Sequence, residues 1–159
     1  ELLSTGSISL RPGVRRLLER AKMEKIRLAI ATTSALPNVM SLLEHSLDPE
    51  GFSWFEVIGA GDIVPLKKPA PDIYQYVLNQ LKLTPEECLV IEDSYPGLIA
   101  AKQAGLKTII TVNEYTQYQD FSQGILVLNH LGEPDFPCQV LQGELEGNYV
   151  QIKDLRNLV

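Results

Sequence analysis

A chain of 159 residues suffices for one domain with a sizeable core and shows no division into two. Its 45% hydrophobic and 21% charged residues are the balance of an ordinary globular domain, and no apolar run approaches the roughly 20 residues that span a bilayer, which argues against a membrane partner. The net charge of −6, with no cluster of Lys or Arg, argues against a nucleic-acid surface, but leaves small anionic substrates open because local charges or a metal can hold them.

The opening stretch, ELLSTGSISLRPGV, has no basic region followed by an apolar one and does not read as a secretory signal. Without an initiator Met it reads as a start inside a longer protein. RPGVRRLLERAKMEK then opens on Pro-Gly and sets Val14, Leu17, Leu18 and Ala21 on one helical face. Residues 26–31, IRLAIA, form a short apolar strand. LPNVMSLLEHSL is a second amphipathic helix with Val39, Leu42 and Leu43 inward, and residues 55–61 a second strand. KKPAPDIYQYVLNQLKL turns through two prolines into a helix. Thr84 stands as an N-cap with Pro85 in the first helical position. CLVIED is the third strand, YPGLIAAKQAG a helix closed by Gly105, KTIITV the fourth strand and GILVLNHL the fifth. The tail, residues 143–159, reads as a short strand and a closing helix.

Strands alternating with helices predict an α/β fold: one Rossmann-like parallel sheet, with right-handed crossovers placing helices on both faces. Cys88 opens a buried strand, and its simpler reading is a reduced core thiol, which implies a reducing compartment: cytoplasm, or plastid stroma in a plant.

In parallel sheets the functional crevice lies beyond the carboxyl ends of the strands, and three groups of residues stand there. After the first strand come Thr32, Thr33 and Ser34, hydroxyls and backbone N–H groups at a helix start, which suit an anionic oxygen or simply cap the helix. After the second come Lys67 and Lys68, the latter restricted by Pro69 and so able to aim a fixed ammonium into the crevice, or else two solvated loop lysines. After the third come Glu92 and Asp93. Adjacent carboxylates repel, but Mg²⁺ removes the repulsion and asks for such hard oxygen ligands. The alternative is an N-cap, Asp93 or Ser94, with Glu92 exposed. Hydroxyl, lysine and acid pair in this order favour phosphate chemistry. His45 and His130 group with no other ligand type, and Tyr115, Tyr118 and Phe121 read as loop packing.

These stretches resemble the motifs of the haloacid dehalogenase superfamily of phosphohydrolases. LAIATTS is similar to its second motif, KKPAPDIY to its third, and VIEDSYPGLIAAKQAG to the fourth motif of the subfamily with a helical cap. The resemblance covers about residues 11–131, and LRPGV, GDIVPLKKPAPDIY and VLNHLGEP look most like the CbbY-type sugar phosphatases, with β-phosphoglucomutase a close relative. It implies that Thr32 and the Thr33 N–H bind the transferring phosphoryl group, with Ser34 beside them. It also implies that Lys68 neutralises phosphoryl charge, that Glu92 and Asp93 ligate Mg²⁺, and that the substrate is a small phosphorylated sugar such as a pentulose bisphosphate.

The family's first motif, D-x-D, supplies the nucleophile that becomes an aspartyl-phosphate and the general acid and base. Here no two aspartates lie two residues apart, and no candidate strand precedes residue 11. The expectation is therefore a single domain over residues 1–159, the carboxyl-terminal portion of a core domain. Its first motif, cap and central first strand, which belongs between the strands ending at Thr32 and Asp93, lie outside this sequence. Two bare strand edges are costly. That favours a remainder supplied as a separate or associated chain over a rearrangement by dimerisation. This chain alone is expected to be inactive. A phosphomutase and a non-catalytic assembly subunit remain alternatives.

Overall fold

The computed structural model describes residues 10–159. The chain runs α1 (Val14–Met23), β1 (Ala29–Ala31), α2 (Leu36–Ser46), β2 (Val57–Gly59), α3 (Asp72–Leu81), β3 (Leu89–Glu92), α4 (Tyr95–Gln103), β4 (Lys107–Thr111), β5 (Leu126–Leu128), β6 (Val140–Gln142) and α5 (Ile152–Leu158). The strands are shorter than their apolar runs. Residues 26–28 precede β1, and residues 84–87 make one capped helical turn, in which the Glu87 side chain accepts the Thr84 backbone N–H at 3.1 Å.

Two sheets result. β1 pairs with β2 in parallel, and a second sheet has the order β3-β4-β5-β6, parallel except for the antiparallel pairing of β5 with β6. The expected strand in the tail is absent: the last strand lies at Val140–Gln142, upstream of residues 143–159, and the tail contributes α5 alone. Helices cover both faces, as the alternation along β4 and β5 shows. Ile109, Leu126 and Leu128 pack against α1 and α5 residues Leu17, Ala21 and Ile152, whereas Ile110 and Val127 pack under Leu98 of α4. On the other sheet, Ile30 and Ile58 lie against α2, and Ala31 against the side that carries α3 and α4.

Between β1 and β3 runs an apolar slot of ≈ 830 Å³, walled by Leu28, Ile30, Leu89 and Ile91 and closed by α3 and α5 residues such as Leu81 and Leu155. Among the described residues no strand fills it, and the two sheets do not join across it. The slot lies where the sequence reading puts the central first strand. Burial on α1 and α2 follows the expected faces at Leu17, Ala21, Val39 and Leu43, while Val14, Leu18 and Leu42 are half-buried.

Candidate active site

The carboxyl ends of β1 and β3 open on a pocket of ≈ 400 Å³ lined by Arg11, Thr32, Thr33, Lys68, Glu92, Asp93 and Thr111, among others. Thr32 and Thr33 follow β1 directly. They do not cap α2, whose N-cap is Ala35 with no side-chain bond. Ser34 is exposed and is not part of the pocket lining; its backbone N–H donates to the Thr32 hydroxyl at 3.1 Å. Of the two lysines, Lys67 lies in solvent beside Asp62 at 3.2 Å, while Lys68 enters the pocket, its Nζ donating to the Ala31 carbonyl at 3.0 Å and to Glu92 Oε1. The Lys68–Pro69 peptide is cis.

Glu92 is the hub of this arrangement. Its Oε1 accepts from both Lys68 and the Tyr74 hydroxyl, and the Glu92 and Lys68 side chains are 8% and 12% exposed, so the pair is held out of water. Tyr74 comes from α3 and is itself buried. Burial, and next the charge of Glu92, push its hydroxyl far above the ordinary range, so it stays a donor. Lys68 Nζ also stands 5.1 Å from the centre of the Tyr74 ring. Gly97 on α4 leaves the space: a Cβ there would lie 2.2 Å from Glu92 Cδ.

Asp93 keeps a freer carboxylate. The capping role next door falls to Ser94, whose Oγ accepts the Gly97 N–H at 3.2 Å and starts α4. Asp93 Oδ2 accepts from Asn113 Nδ2 at 3.4 Å. The residue reaches solvent, yet its carboxyl is set into the pocket wall. Lost hydration first, and the Glu92 charge second, raise its pKa, while Arg11 and Lys68 pull the other way.

The donor set has the character Mg²⁺ favours: two carboxylates and room for waters and a substrate oxygen. Glu92 Oε1 is committed to Lys68 and Tyr74. Its Oε2, which accepts the Asp93 N–H at 3.3 Å, and the Asp93 carboxylate are the oxygens that could hold the ion. Among the described residues no third acid, His or Cys joins them. His45 bonds to the Ser41 carbonyl through Nδ1 at 2.7 Å, and His130 stacks on Phe136 with ring centroids 4.8 Å apart. Sequence reasoning missed Tyr74, Asn113 and Arg11; only the stretches DIY and LRPGV could have hinted at two of them.

A family model for haloacid dehalogenase-like hydrolases matches residues 1–105. The chain belongs to the haloacid dehalogenase-like hydrolases. Among members of this hydrolase family it is 47% identical over 122 residues to protein CbbY of Rhodobacter capsulatus, a match over 77% of this chain and 54% of that protein. It is 43% identical over 101 residues to a phosphorylated carbohydrates phosphatase of Thermotoga maritima, over 64% of this chain and 45% of that one. The crystal structure of CbbY from Rhodobacter sphaeroides in complex with phosphate superposes with a TM-score of 0.77 at 43% identity, covering 81% of this chain and 57% of that one. A mutant of the same protein, in complex with xylulose-(1,5)bisphosphate, matches equally. The chain thus spans about half the length of the relatives it matches.

Proposed function

We propose that this chain is the core of a Mg²⁺-dependent phosphatase acting on a small phosphorylated sugar. One observation carries the reading: Thr32 and Thr33, Lys68 and the Glu92–Asp93 pair surround a single pocket at one rim of the parallel strands. The complexes of the Rhodobacter sphaeroides relative with phosphate and with xylulose-(1,5)bisphosphate support a pentulose bisphosphate as the substrate class.

The chemistry this chain supplies is positioning and electrostatics, most of what phosphoryl transfer needs. The Thr32 hydroxyl and the backbone N–H of Thr33 bind equatorial phosphoryl oxygens. Lys68, fixed by Ala31, Glu92 and Tyr74, offsets the charge that gathers on the phosphoryl group and holds the attacking carboxylate in line. Asp93 and Glu92 Oε2 would hold the divalent ion, which when bound would neutralise phosphoryl charge. The attacking carboxylate is not among these residues. It comes, on this reading, from an aspartate on an extended segment that enters the slot between β1 and β3 and emerges beside Lys68, making an aspartyl-phosphate in the intact protein. Free Cys88 and Cys138 fit work in a reducing compartment, the cytoplasm or a plastid stroma.

The test is hydrolysis of small phosphate esters, xylulose bisphosphate among them, by the complete protein and by residues 1–159, with and without Mg²⁺. Activity is expected for the complete protein with Mg²⁺ and none for residues 1–159. Asp93→Asn should lower turnover by at least about a hundredfold, as loss of a charged group at a phosphoryl site does. Unchanged turnover in that variant removes the metal role, and an isomerised phosphosugar in place of free phosphate makes the protein a mutase.

A further inference from the structure

Arg11 lies in the same pocket, and neither hydroxyl, lysine nor acid pair accounts for it. It precedes α1, yet its guanidinium reaches across to the carboxyl ends of β4 and β5. Nη1 donates to the Thr111 carbonyl at 3.4 Å and to the Thr111 hydroxyl at 3.2 Å. Nη2 donates to the Val112 carbonyl at 2.7 Å and the Asn129 carbonyl at 2.6 Å. None of these acceptors is a carboxylate. The guanidinium is therefore held rigidly by neutral oxygens and keeps its full positive charge for the pocket it lines. Its field reaches Asp93, whose ionised form it favours.

Among the described residues, the charged ones lining the pocket are Arg11, Lys68, Glu92 and Asp93, two cations against two carboxylates. Lys68 is spent on Glu92 within a buried pair. Arg11 is thus the cation that faces Asp93 without a carboxylate of its own. A divalent ion at Asp93 feels that charge as repulsion, and a phosphate dianion beside the ion feels it as attraction.

Resting on the phosphatase reading of this pocket, we infer that Arg11 is a positioning residue whose charge trades cation affinity for phosphate affinity. It loosens the grip of the acid pair on Mg²⁺ and tightens the grip of the loaded pocket on the phosphoryl dianion, so that metal and substrate bind as a set. The clamp on β4 and β5 is the means of holding the charge still; the charge is the function.

The two roles part under substitution. In the complete protein, Mg²⁺ binding and then inorganic phosphate binding at saturating Mg²⁺ are measured by calorimetry, with thermal melting alongside. Arg11→Gln should bind Mg²⁺ more tightly and phosphate more weakly, each by about five- to tenfold, the scale of one charge lining the same partly wet pocket. Arg11→Lys keeps the charge but not the four-point clamp; it should melt lower and keep both affinities within about twofold. A purely structural arginine would weaken both ligands together in Arg11→Gln, and that result overturns the inference. So does Arg11→Lys behaving like Arg11→Gln. Should Arg11→Gln fail to fold, Arg11→Lys decides, and loss of either affinity there overturns it. If the unaltered protein binds neither Mg²⁺ nor phosphate, the phosphatase reading falls and the inference with it, whereas an unaltered protein that binds both separates the two.

Discussion

Glu92 concentrates the demands of the site on one carboxylate, which takes a lysine from the loop after β2, a tyrosine from α3 and the bare backbone of α4 at once. Gly97→Ala would drive a methyl into that carboxylate at 2.2 Å. It should destabilise the fold by about 1–3 kcal/mol, the range for overpacking a filled site, and should also free the Lys68 ammonium; chemical denaturation and activity together check it. Asp93 behaves oppositely. Its folded pKa lies above the unfolded value, so the fold binds more protons and loses stability as pH rises between the two. Asp93→Asn is therefore expected to melt higher than the unaltered protein at pH 7 in a chelator, while losing activity; an equal or lower melting temperature would contradict the strained-carboxylate account. Thr32, Lys68, Glu92 and Asp93 were legible because each follows an apolar run in a parallel sheet. Tyr74, Asn113 and Gly97 were not, since their value lies in what they touch: Tyr74 looks like any helix-face aromatic, and Gly97 like any helix glycine.

At the scale of elements, caps and strand partners decide what local pattern left open. Thr33 and Ser34 could have capped α2 and do not, because they lie in the bend before Ala35, which is the N-cap and makes no side-chain bond; Ser94 does cap α4, which releases Asp93. Strand lengths follow partners rather than hydrophobicity. β4 has a strand on each side and hides Ile109 and Ile110 completely, whereas among the described residues β1 has one neighbour over three residues. Amide exchange should show the difference: protection at Ile109 and Ile110 close to that of global unfolding, and at Ala29–Ala31 exchange faster by two orders of magnitude or more, about 3 kcal/mol of local opening. Equal protection in the two strands would mean that β1 is paired on both sides. The antiparallel β6 was not foreseen. Val140–Gln142 is an exposed edge, its backbone pairing set by β5 rather than by apolar periodicity.

For the whole molecule, the slot between the two sheets is the dominant feature, because two strand edges and an apolar wall face a lane of ≈ 830 Å³ that no strand among the described residues fills. An extended apolar segment from the remainder of the protein, supplied as a peptide, should raise the melting temperature of residues 1–159 and slow amide exchange along Leu89–Glu92; a peptide that leaves both unchanged argues against strand insertion. The α/β class, the order of the elements from α1 to β5 and the strand-end residues were determined by the sequence alone, since burial periodicity and the carboxyl-end rule act along the chain. Which strands stay apart, how Tyr74 comes to donate to Glu92, and how Arg11 comes to line the pocket that holds Asp93 were decided by tertiary structure. Those contacts close loops of up to 118 residues, and only the stacking of sheet and helices determines which distant groups share one desolvated space.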